Sequence, residues 1–259
     1  MSIKILDGIE AIGPALWIEK AHILIIADLH IGYEESLNKQ GILVPRTQLN
    51  ETIVMFKQLF SRLKGKKIKT IVVNGDLKHE FGEISRQEWH ETSEILELLM
   101  KKGKIILIRG NHDTILEPIA KKKGLEIVNY HCIDDICVLH GNKILDNQDV
   151  KKAKILIIGH EHPAVSLREG AKVERYKCFL LGRWKRSETK FLASRKSRDF
   201  LGKQKLIVMP SFLPIVEGSN VKKEKLLSPY LQKDLGNFKV WILGDRVYEF
   251  GKLKRIYQA

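Results

Sequence analysis

Side chains that commonly bind metal ions follow five separate apolar runs of this sequence. These side chains are Asp28, His30, Asp76, Asn111, His140, His160 and His162. In D-x-H and H-x-H, two side chains lie on the same side of an extended segment and can therefore reach one site. Carboxylate, imidazole and amide oxygen together suit divalent ions such as Mn, Fe or Zn, and no thiol is involved. The set as a whole predicts a metal centre, although any one of these histidines alone would more often be structural.

The number of these side chains predicts two metal ions. A single catalytic zinc ion takes about three protein ligands, whereas two ions about 3.5–4 Å apart that share one carboxylate would use the whole set. Asp76 is the natural bridge because a carboxylate has two oxygen atoms. Two-metal sites of this kind supply hydroxide at neutral pH and stabilise the oxygens of an in-line phosphoryl displacement.

The apolar runs before these residues predict buried strands, because they are continuous in Ile, Val and Leu. The runs are 22–30, 69–79, 104–113, 135–142 and 154–162. Helical spacing of apolar residues appears at 47–63 and at 85–100, where Ser85 and Glu88 form the pattern of a capping box. Strands alternating with helices indicate an α/β layered domain, in which ligands bind beyond the carboxyl ends of the strands.

The C-terminal third predicts further strands at 205–211, 237–243 and 246–251, and we expect Trp17-Ile18 to pair with them. The predicted fold class is therefore α/β: a four-layer α/β/β/α sandwich of two mixed β-sheets flanked by helices. We expect a single domain over 1–259, with a basic insert at about 166–205.

Composition excludes several classes of protein. An apolar fraction of 44% in 259 residues is enough for a core and excludes wholesale disorder. No apolar run approaches the roughly 18 residues of a membrane span, so no membrane association is expected. The N-terminus lacks a signal-peptide layout. The three cysteines have no C-x-x-C spacing, which predicts reduced thiols and a cytoplasmic location.

Positive charge is concentrated directly after the last metal-binding motif. The chain carries 45 Lys+Arg against 31 Asp+Glu, a net charge of +14, and 166–205 holds thirteen basic and four acidic residues, a net of +9. Such a surface attracts polyanions, most commonly nucleic acid; the alternative is a solvated face or a disordered loop. The candidate substrate-binding residues are Arg183, Lys185, Arg186, Arg195, Lys196 and Arg198.

Five motifs in this order resemble those of the calcineurin-type metallophosphoesterases. They are D-x-H (28–30), G-D (75–76), G-N-H-D (110–113), H-G (140–141) and G-H-x-H (159–162). The resemblance implies that Asp28, His30, Asp76 and His162 hold the first metal ion. It implies that Asp76, Asn111, His140 and His160 hold the second.

The same resemblance implies a catalytic role for His112, which would face the phosphate and protonate the leaving oxygen or stabilise the transition state. An imidazole with a pKa near neutrality suits that role. Asp113 would orient the imidazole; the alternative is an N-cap for the following helix.

Within this superfamily, the chain most resembles the archaeal phosphoesterases related to the SbcD-type repair nuclease, and nearly as well the bacterial DNA-ligase-associated phosphoesterases. The resembling segments are G-D-L-K-H-E (75–80), G-H-E-H-P-A (159–164) and P-S-F-L-P (210–214). His79 matches a histidine near the substrate of the repair nucleases; the alternative is a loop histidine packed on Phe81. The added segments of the large nuclease are not matched, so no ATPase partner is indicated.

These observations predict a dinuclear metal-dependent phosphoesterase that hydrolyses phosphodiester bonds in nucleic acid. Mn²⁺ is the expected ion, with Fe, Zn or Ni as alternatives. The alternative function is a small-molecule phosphodiesterase acting on nucleotides or cyclic nucleotides, and a more remote one is a non-catalytic metal-binding scaffold. A homodimer is compatible with the sequence.

Overall fold

The computed structural model describes residues 2–82, 84–185 and 204–256. The chain forms two compact units, the first made of Met1–Asn129 and Ser211–Val216 and the second of Tyr130–Pro210 and Glu217–Ala259. Each unit contains a mixed β-sheet and helices. The predicted α/β fold with two mixed sheets flanked by helices is confirmed.

The sheet of the first unit has seven strands among the described residues, in chain order across the sheet. They are β1 (Ile3–Leu6), β2 (Ile9–Ile12), β3 (Ala15–Ile18), β4 (Ile23–Ile26), β5 (Thr70–Asn74), β6 (Lys104–Ile108) and β7 (Ile127–Val128). Pairs from β1 to β4 are antiparallel, and pairs from β4 to β7 are parallel. The carboxyl ends of β4, β5 and β6 therefore lie at one edge of this sheet.

The expected pairing of Trp17-Ile18 with the C-terminal strands was wrong. Both residues belong to β3, which pairs with β2 and β4 in the first unit. Short turns join β2 to β3 and β3 to β4, so the nearest strands in the sequence pair first.

Helices of the first unit are α1 (Tyr33–Lys39), α2 (Gln48–Arg62), α3 (Arg86–Met100) and α4 (Glu117–Lys122). The two long helices match the predicted segments. Phe56 and Leu59 on α2 and Ile95 and Leu99 on α3 are buried in the same core cluster as the strand residues. No helix in the described part of the chain is long and apolar enough to cross a bilayer.

Only half of the predicted capping box forms at the start of α3. The Ser85 hydroxyl oxygen accepts a hydrogen bond from the Glu88 backbone N–H at 3.0 Å, as predicted. The Glu88 carboxylate, however, accepts hydrogen bonds from the backbone N–H groups of His79 and Glu80. The Glu88 carboxylate thus binds the loop that follows β5 instead of the Ser85 backbone N–H that a full capping box would use.

The second unit contains a nine-stranded sheet, counted over the described residues, and one short helix. Its strands are β8 (Tyr130–Ile133), β9 (Ile136–Leu139), β10 (Ile155–Ile158), β11 (Pro163–Glu169), β12 (Lys172–Trp184), β13 (Gln204–Val208), β14 (Ser219–Asn220), β15 (Lys239–Leu243) and β16 (Val247–Lys252). Helix α5 (Gln148–Lys152) connects β9 to β10, and a 3-10 turn covers Leu253–Arg255. Strands β9 and β10 are parallel neighbours, so their carboxyl ends share one edge.

The prediction of three reduced thiols was wrong for two of them. Cys132 and Cys137 form a disulfide. They are directly opposite each other in the antiparallel hairpin of β8 and β9, which brings their Cα atoms to 4.1 Å. The missing C-x-x-C pattern did not exclude this pairing, because a hairpin supplies the proximity. Cys178 is free and buried, and its burial raises the pKa of its thiol.

Candidate metal centre

Three loops at one edge of the first unit's sheet carry its predicted metal-binding residues. Asp28 and His30 follow β4, Asp76 follows β5, and Asn111 and His112 follow β6. Because these strands are parallel neighbours, their following loops emerge at the same edge. Backbone hydrogen bonds join the first two loops: the Asp28 N–H donates to the Gly75 carbonyl at 3.2 Å, and the His30 N–H to the Asp76 carbonyl at 2.9 Å.

Most of the uncommon backbone conformations coincide with predicted ligands. Among the described residues, seven non-glycine residues have a positive φ. Five of them are Asp28, His30, Asp76, His160 and His162, with φ between 47° and 67°. This left-handed conformation costs a non-glycine residue roughly 1–2 kcal/mol, and such strain concentrates at functional sites. The fold therefore holds these five side chains in directions that ordinary strand ends would not give them.

Asp76 is a buried carboxylate of the first unit's edge and is 2% exposed. Its Oδ1 accepts the His112 backbone N–H at 2.9 Å, and its Oδ2 lies 3.6 Å from Nε2 of His30. A Cβ atom at Gly110 would overlap the side chain and backbone of Asp76. Only glycine there allows the G-N-H-D loop to approach this carboxylate closely.

Three imidazoles converge beside Asp76. One ring nitrogen each from His30, His79 and His112 lies within 4.8 Å of the others, and Nδ1 of His79 is 3.3 Å from Nδ1 of His30. Burial, with a smaller effect from His112, lowers the pKa of His79 to about 4, so His79 is neutral at pH 7. The structure thus brings His79 and His112 to the proposed metal-binding edge.

The ring of His112 is oriented by the loop that carries His79. Its Nδ1 contacts the backbone carbonyl oxygen of His79. The ring of Phe81 packs on His112, with centroids 3.8 Å apart, while His79 packs on Tyr33 at 4.7 Å. Phe81 thus packs on His112, whose ring also stacks on that of His79 with centroids 5.1 Å apart.

Asp113 connects two of these loops through their backbones. Its carboxylate is fully buried. Oδ1 accepts the N–H groups of Leu77 and Lys78 at 3.0 and 3.3 Å, and Oδ2 accepts that of Gly110 at 2.9 Å. Helix α4 begins at Glu117, with Leu116 at its N-cap position. These hydrogen bonds of Asp113 position the loops that carry Asp76 and His112.

Two further buried side chains support the same edge, and the sequence analysis missed their roles. Gln48 donates through Nε2 to the carbonyl oxygens of Leu29 and His30 at 3.3 and 2.7 Å. Glu88 accepts the N–H groups of His79 and Glu80, each at 3.0 Å. Neither contact has a signal in the sequence: Gln48 binds carbonyl groups 18 and 19 residues away, and Glu88 binds N–H groups eight and nine residues away, a spacing that belongs to no regular local motif.

In the second unit, His140 follows β9, and His160 and His162 follow β10. The rings of His140 and His160 lie 4.9 Å apart, edge to face. The Gly159 N–H donates to the His140 carbonyl at 2.9 Å and joins the two strand ends. A Cβ at Gly218 would overlap the carbonyl oxygen of His162, so the chain also packs closely there.

Glu161 lies between the two histidines of G-H-E-H and is 1% exposed. Its Oε2 accepts the backbone N–H groups of Leu227 and Ser228 at 2.9 and 2.8 Å. The Ser228 hydroxyl donates to the Gly141 carbonyl at 2.8 Å. One buried carboxylate thus connects the two histidine-bearing loops of this unit through residues 227–228, a role that the sequence analysis missed.

Comparison with known families decides the class of this protein. The calcineurin-like phosphoesterase family model matches residues 21–245. The chain belongs to this family. It is accordingly a metal-dependent phosphoesterase.

Several solved structures are similar to this phosphoesterase to different degrees. The nuclease MPE from Pseudomonas putida is 16% identical, with a TM-score of 0.63 over 96% of this chain and 99% of that one. A protein of unknown function, AQ665 from Aquifex aeolicus, is 21% identical over 54% of this chain and 78% of that one, with a TM-score of 0.35. Vps29 from Entamoeba histolytica in complex with Zn²⁺ is 12% identical over 88% and 98%, at a TM-score of 0.32. No curated protein sequence matches the chain significantly.

The donor atoms of the phosphoesterase fit divalent metal ions. In the first unit, Asp28 and Asp76 are buried carboxylates next to imidazoles; in the second, His140 and His160 are adjacent imidazoles. Buried carboxylates are costly unless they are paired or coordinate a metal. Mixed oxygen and imidazole donors suit Mn, Fe or Zn.

Two of the six basic residues that were predicted to contact the substrate lie within the described part of the chain. Arg183 is exposed near the C-terminal end of β12, and Lys185 follows that strand half-buried. Arg186, Arg195, Lys196 and Arg198 lie outside the described residues.

Proposed function

We propose that this phosphoesterase hydrolyses phosphodiester bonds in nucleic acid. The observation that carries the reaction is the strand-end edge of the first unit, where Asp28, His30 and Asp76 are held beside His112. Two observations support the substrate class. The chain has a net charge of +14, and its fold is shared over nearly its whole length by a protein described as a nuclease.

We assign the metal ligands as the motifs indicate. In the first unit they are Asp28, His30, Asp76 and Asn111, and in the second they are His140, His160 and His162. Mn²⁺ is the proposed ion, with Fe, Zn and Ni as alternatives. Bound divalent ions supply Lewis-acid stabilisation of the phosphoryl oxygens and a nucleophile at neutral pH.

His112 is the proposed general acid. Its Nδ1 contacts a backbone carbonyl oxygen, which can only accept a hydrogen bond, so Nδ1 carries a proton. Nε2 is then the nitrogen that is free to give a proton to the leaving oxygen as a general acid. Asp76 holds the backbone of His112, and Asp113 holds the loops around both residues.

Within the family, we assign this phosphoesterase to the subgroup related to the SbcD-type nuclease or to the DNA-ligase-associated enzymes. A role in DNA repair would follow from that assignment. The motifs at 75–80, 159–164 and 210–214 support this assignment. The family model spans residues of both units. We propose that they act as one domain over 1–259, with the basic residues at about 166–205 contacting the substrate.

Parallel hydrolysis assays test the proposal. Single-stranded DNA, bis-p-nitrophenyl phosphate and 2′,3′-cyclic AMP are incubated with Mn²⁺ and either wild type or His112→Ala. The proposal expects DNA cleavage that requires Mn²⁺ and His112 and that weakens steeply with salt, because phosphate contacts release counterions. Cleavage of the two small diesters alone would replace it with the small-molecule phosphodiesterase.

A further inference from the structure

An aromatic ring is exposed beside the proposed general acid. Phe81 is 55% exposed, although its ring centroid lies only 3.8 Å from that of His112, with 35° between the planes. One side of the ring is thus fixed on the imidazole, and much of the rest faces solvent. Exposing so much apolar ring surface to water is unfavourable, and a flat ligand stacked on the free side of the ring would remove that surface from water.

The segment that carries Phe81 is held in place from both sides. The carbonyl oxygen of Phe81 accepts a hydrogen bond from the Thr114 hydroxyl. Directly before it in the sequence, the N–H groups of His79 and Glu80 bind the buried carboxylate of Glu88. An exposed ring on a fixed backbone loses little conformational entropy when a ligand binds, which favours a preformed contact.

The position of the ring beside His112 indicates what it contacts. If His112 protonates the leaving oxygen, the group bonded to that oxygen lies next to the imidazole, within reach of Phe81. In a nucleic acid that group is a nucleoside, whose base offers a flat π-face. Aromatic rings stack on bases of any sequence, and each such contact contributes about 1–3 kcal/mol.

We propose that Phe81 forms a nucleobase subsite that stacks on the base of the leaving nucleoside, an inference that rests on the proposed function. The base must be unpaired to present its face, because a base within a duplex is already stacked on both sides. The subsite therefore selects single-stranded or flipped-out nucleotides. Ile115, which is 38% exposed and adjacent in sequence to the Thr114 that holds Phe81, extends the apolar surface.

Stacking on substrate and positioning of His112 make different predictions for the same variant. If Phe81 only fixed the imidazole, its loss would slow cleavage of every substrate equally. If it also binds a base, its loss affects substrates that carry one more than substrates that do not. The comparison therefore uses two oligonucleotides of equal length, one of thymidine and one of abasic tetrahydrofuran units with the same phosphodiester backbone.

Cleavage of both oligonucleotides is measured with wild type, Phe81→Ala, Phe81→Trp and the control Phe250→Ala, which removes another exposed phenylalanine. Wild type is expected to cleave the thymidine oligonucleotide with a KM about tenfold lower than the abasic one. Phe81→Ala is expected to abolish this ratio by raising the KM for the thymidine oligonucleotide more than the KM for the abasic one. Phe81→Trp and Phe250→Ala are expected to keep the ratio.

An equal loss on both oligonucleotides in Phe81→Ala, or an unchanged ratio, would overturn the subsite and leave the proposed function intact. If wild type cleaves neither oligonucleotide but hydrolyses bis-p-nitrophenyl phosphate, the proposed function fails and the base contact fails with it. The two failures are thus distinguished by the wild-type enzyme.

Discussion

The Glu88 carboxylate accepts a hydrogen bond at 3.0 Å from the backbone N–H of His79, nine residues earlier in the chain. Through this contact helix α3 fixes the loop whose carbonyl oxygen in turn contacts His112. Burial raises the pKa of Glu88, and its Oε2 has no hydrogen-bond partner among the described residues. A neutral side chain with one acceptor oxygen therefore satisfies the same contacts.

Two substitutions of Glu88 distinguish the effect of its hydrogen-bond acceptor oxygen from the effect of its negative charge. Glu88→Ala leaves two buried N–H groups without their acceptor, and we expect the free energy of unfolding to fall by about 2–3 kcal/mol, with a roughly tenfold lower kcat as the His112 contact loosens. Glu88→Gln keeps an acceptor oxygen and is expected to stay near wild type in both. Urea unfolding and hydrolysis of bis-p-nitrophenyl phosphate measure the two effects.

Glu94→Ala, on the same helix and partly exposed, is the matched control and should change neither quantity. Equal losses in the alanine and glutamine variants would show that the charge, and not the acceptor, matters.

Asp113 gives a second prediction. Asp113→Asn keeps one oxygen for Leu77 and Lys78 but places an amide N–H₂ group against the Gly110 N–H. Two donors then face each other in a fully buried position, and the expected loss of stability is about 2 kcal/mol. Activity should fall as well, because the loops of Asp76 and His112 lose their common support. Wild-type stability in Asp113→Asn, measured by urea unfolding, would refute this role.

Much of the fold and of the candidate site was predictable because the signals are local. Continuous apolar runs such as 22–30 predicted strands, and the polar residues directly after them predicted the edge where they lie.

The contacts that support the candidate site were not predictable from the sequence. Glu161 binds backbone groups 66 and 67 residues away, and Asp113 binds groups 35 and 36 residues away. Such pairs leave no periodicity or spacing in the sequence. Glu88 shows the same limit, since its capping-box spacing was real but a tertiary partner replaced the local one.

Glu161 tests whether the second unit depends on its buried carboxylate. Glu161→Ala removes the acceptor of Leu227 and Ser228, and through Ser228 it loosens the Gly141 contact next to His140. We expect a fall of about 2–3 kcal/mol in the free energy of unfolding and weaker Mn²⁺ binding by calorimetry. Glu169→Ala, an exposed glutamate at the end of β11, is the control. Unchanged stability together with unchanged Mn²⁺ affinity would argue against this role.

The cysteines predict a pattern of alkylation. Burial raises the pKa of Cys178, so little thiolate forms and native protein should take up no iodoacetamide at pH 8. Denaturation without reductant should allow one label per chain, at Cys178, and denaturation with reductant should allow labels on all three cysteines. Mass spectrometry counts the labels. Three labels without reductant would contradict the Cys132–Cys137 disulfide.

The central claim is that the strand-end carboxylates and imidazoles hold catalytic metal ions. Mn²⁺ titration of the metal-free enzyme tests it most directly, and hydrolysis of bis-p-nitrophenyl phosphate is measured in the same samples. Wild type is expected to bind about two ions per chain and to gain activity as they bind. Asp76→Asn is expected to bind Mn²⁺ more weakly and to lose at least about 100-fold in kcat. Full activity in the metal-free wild type, or wild-type activity in Asp76→Asn, would contradict the claim.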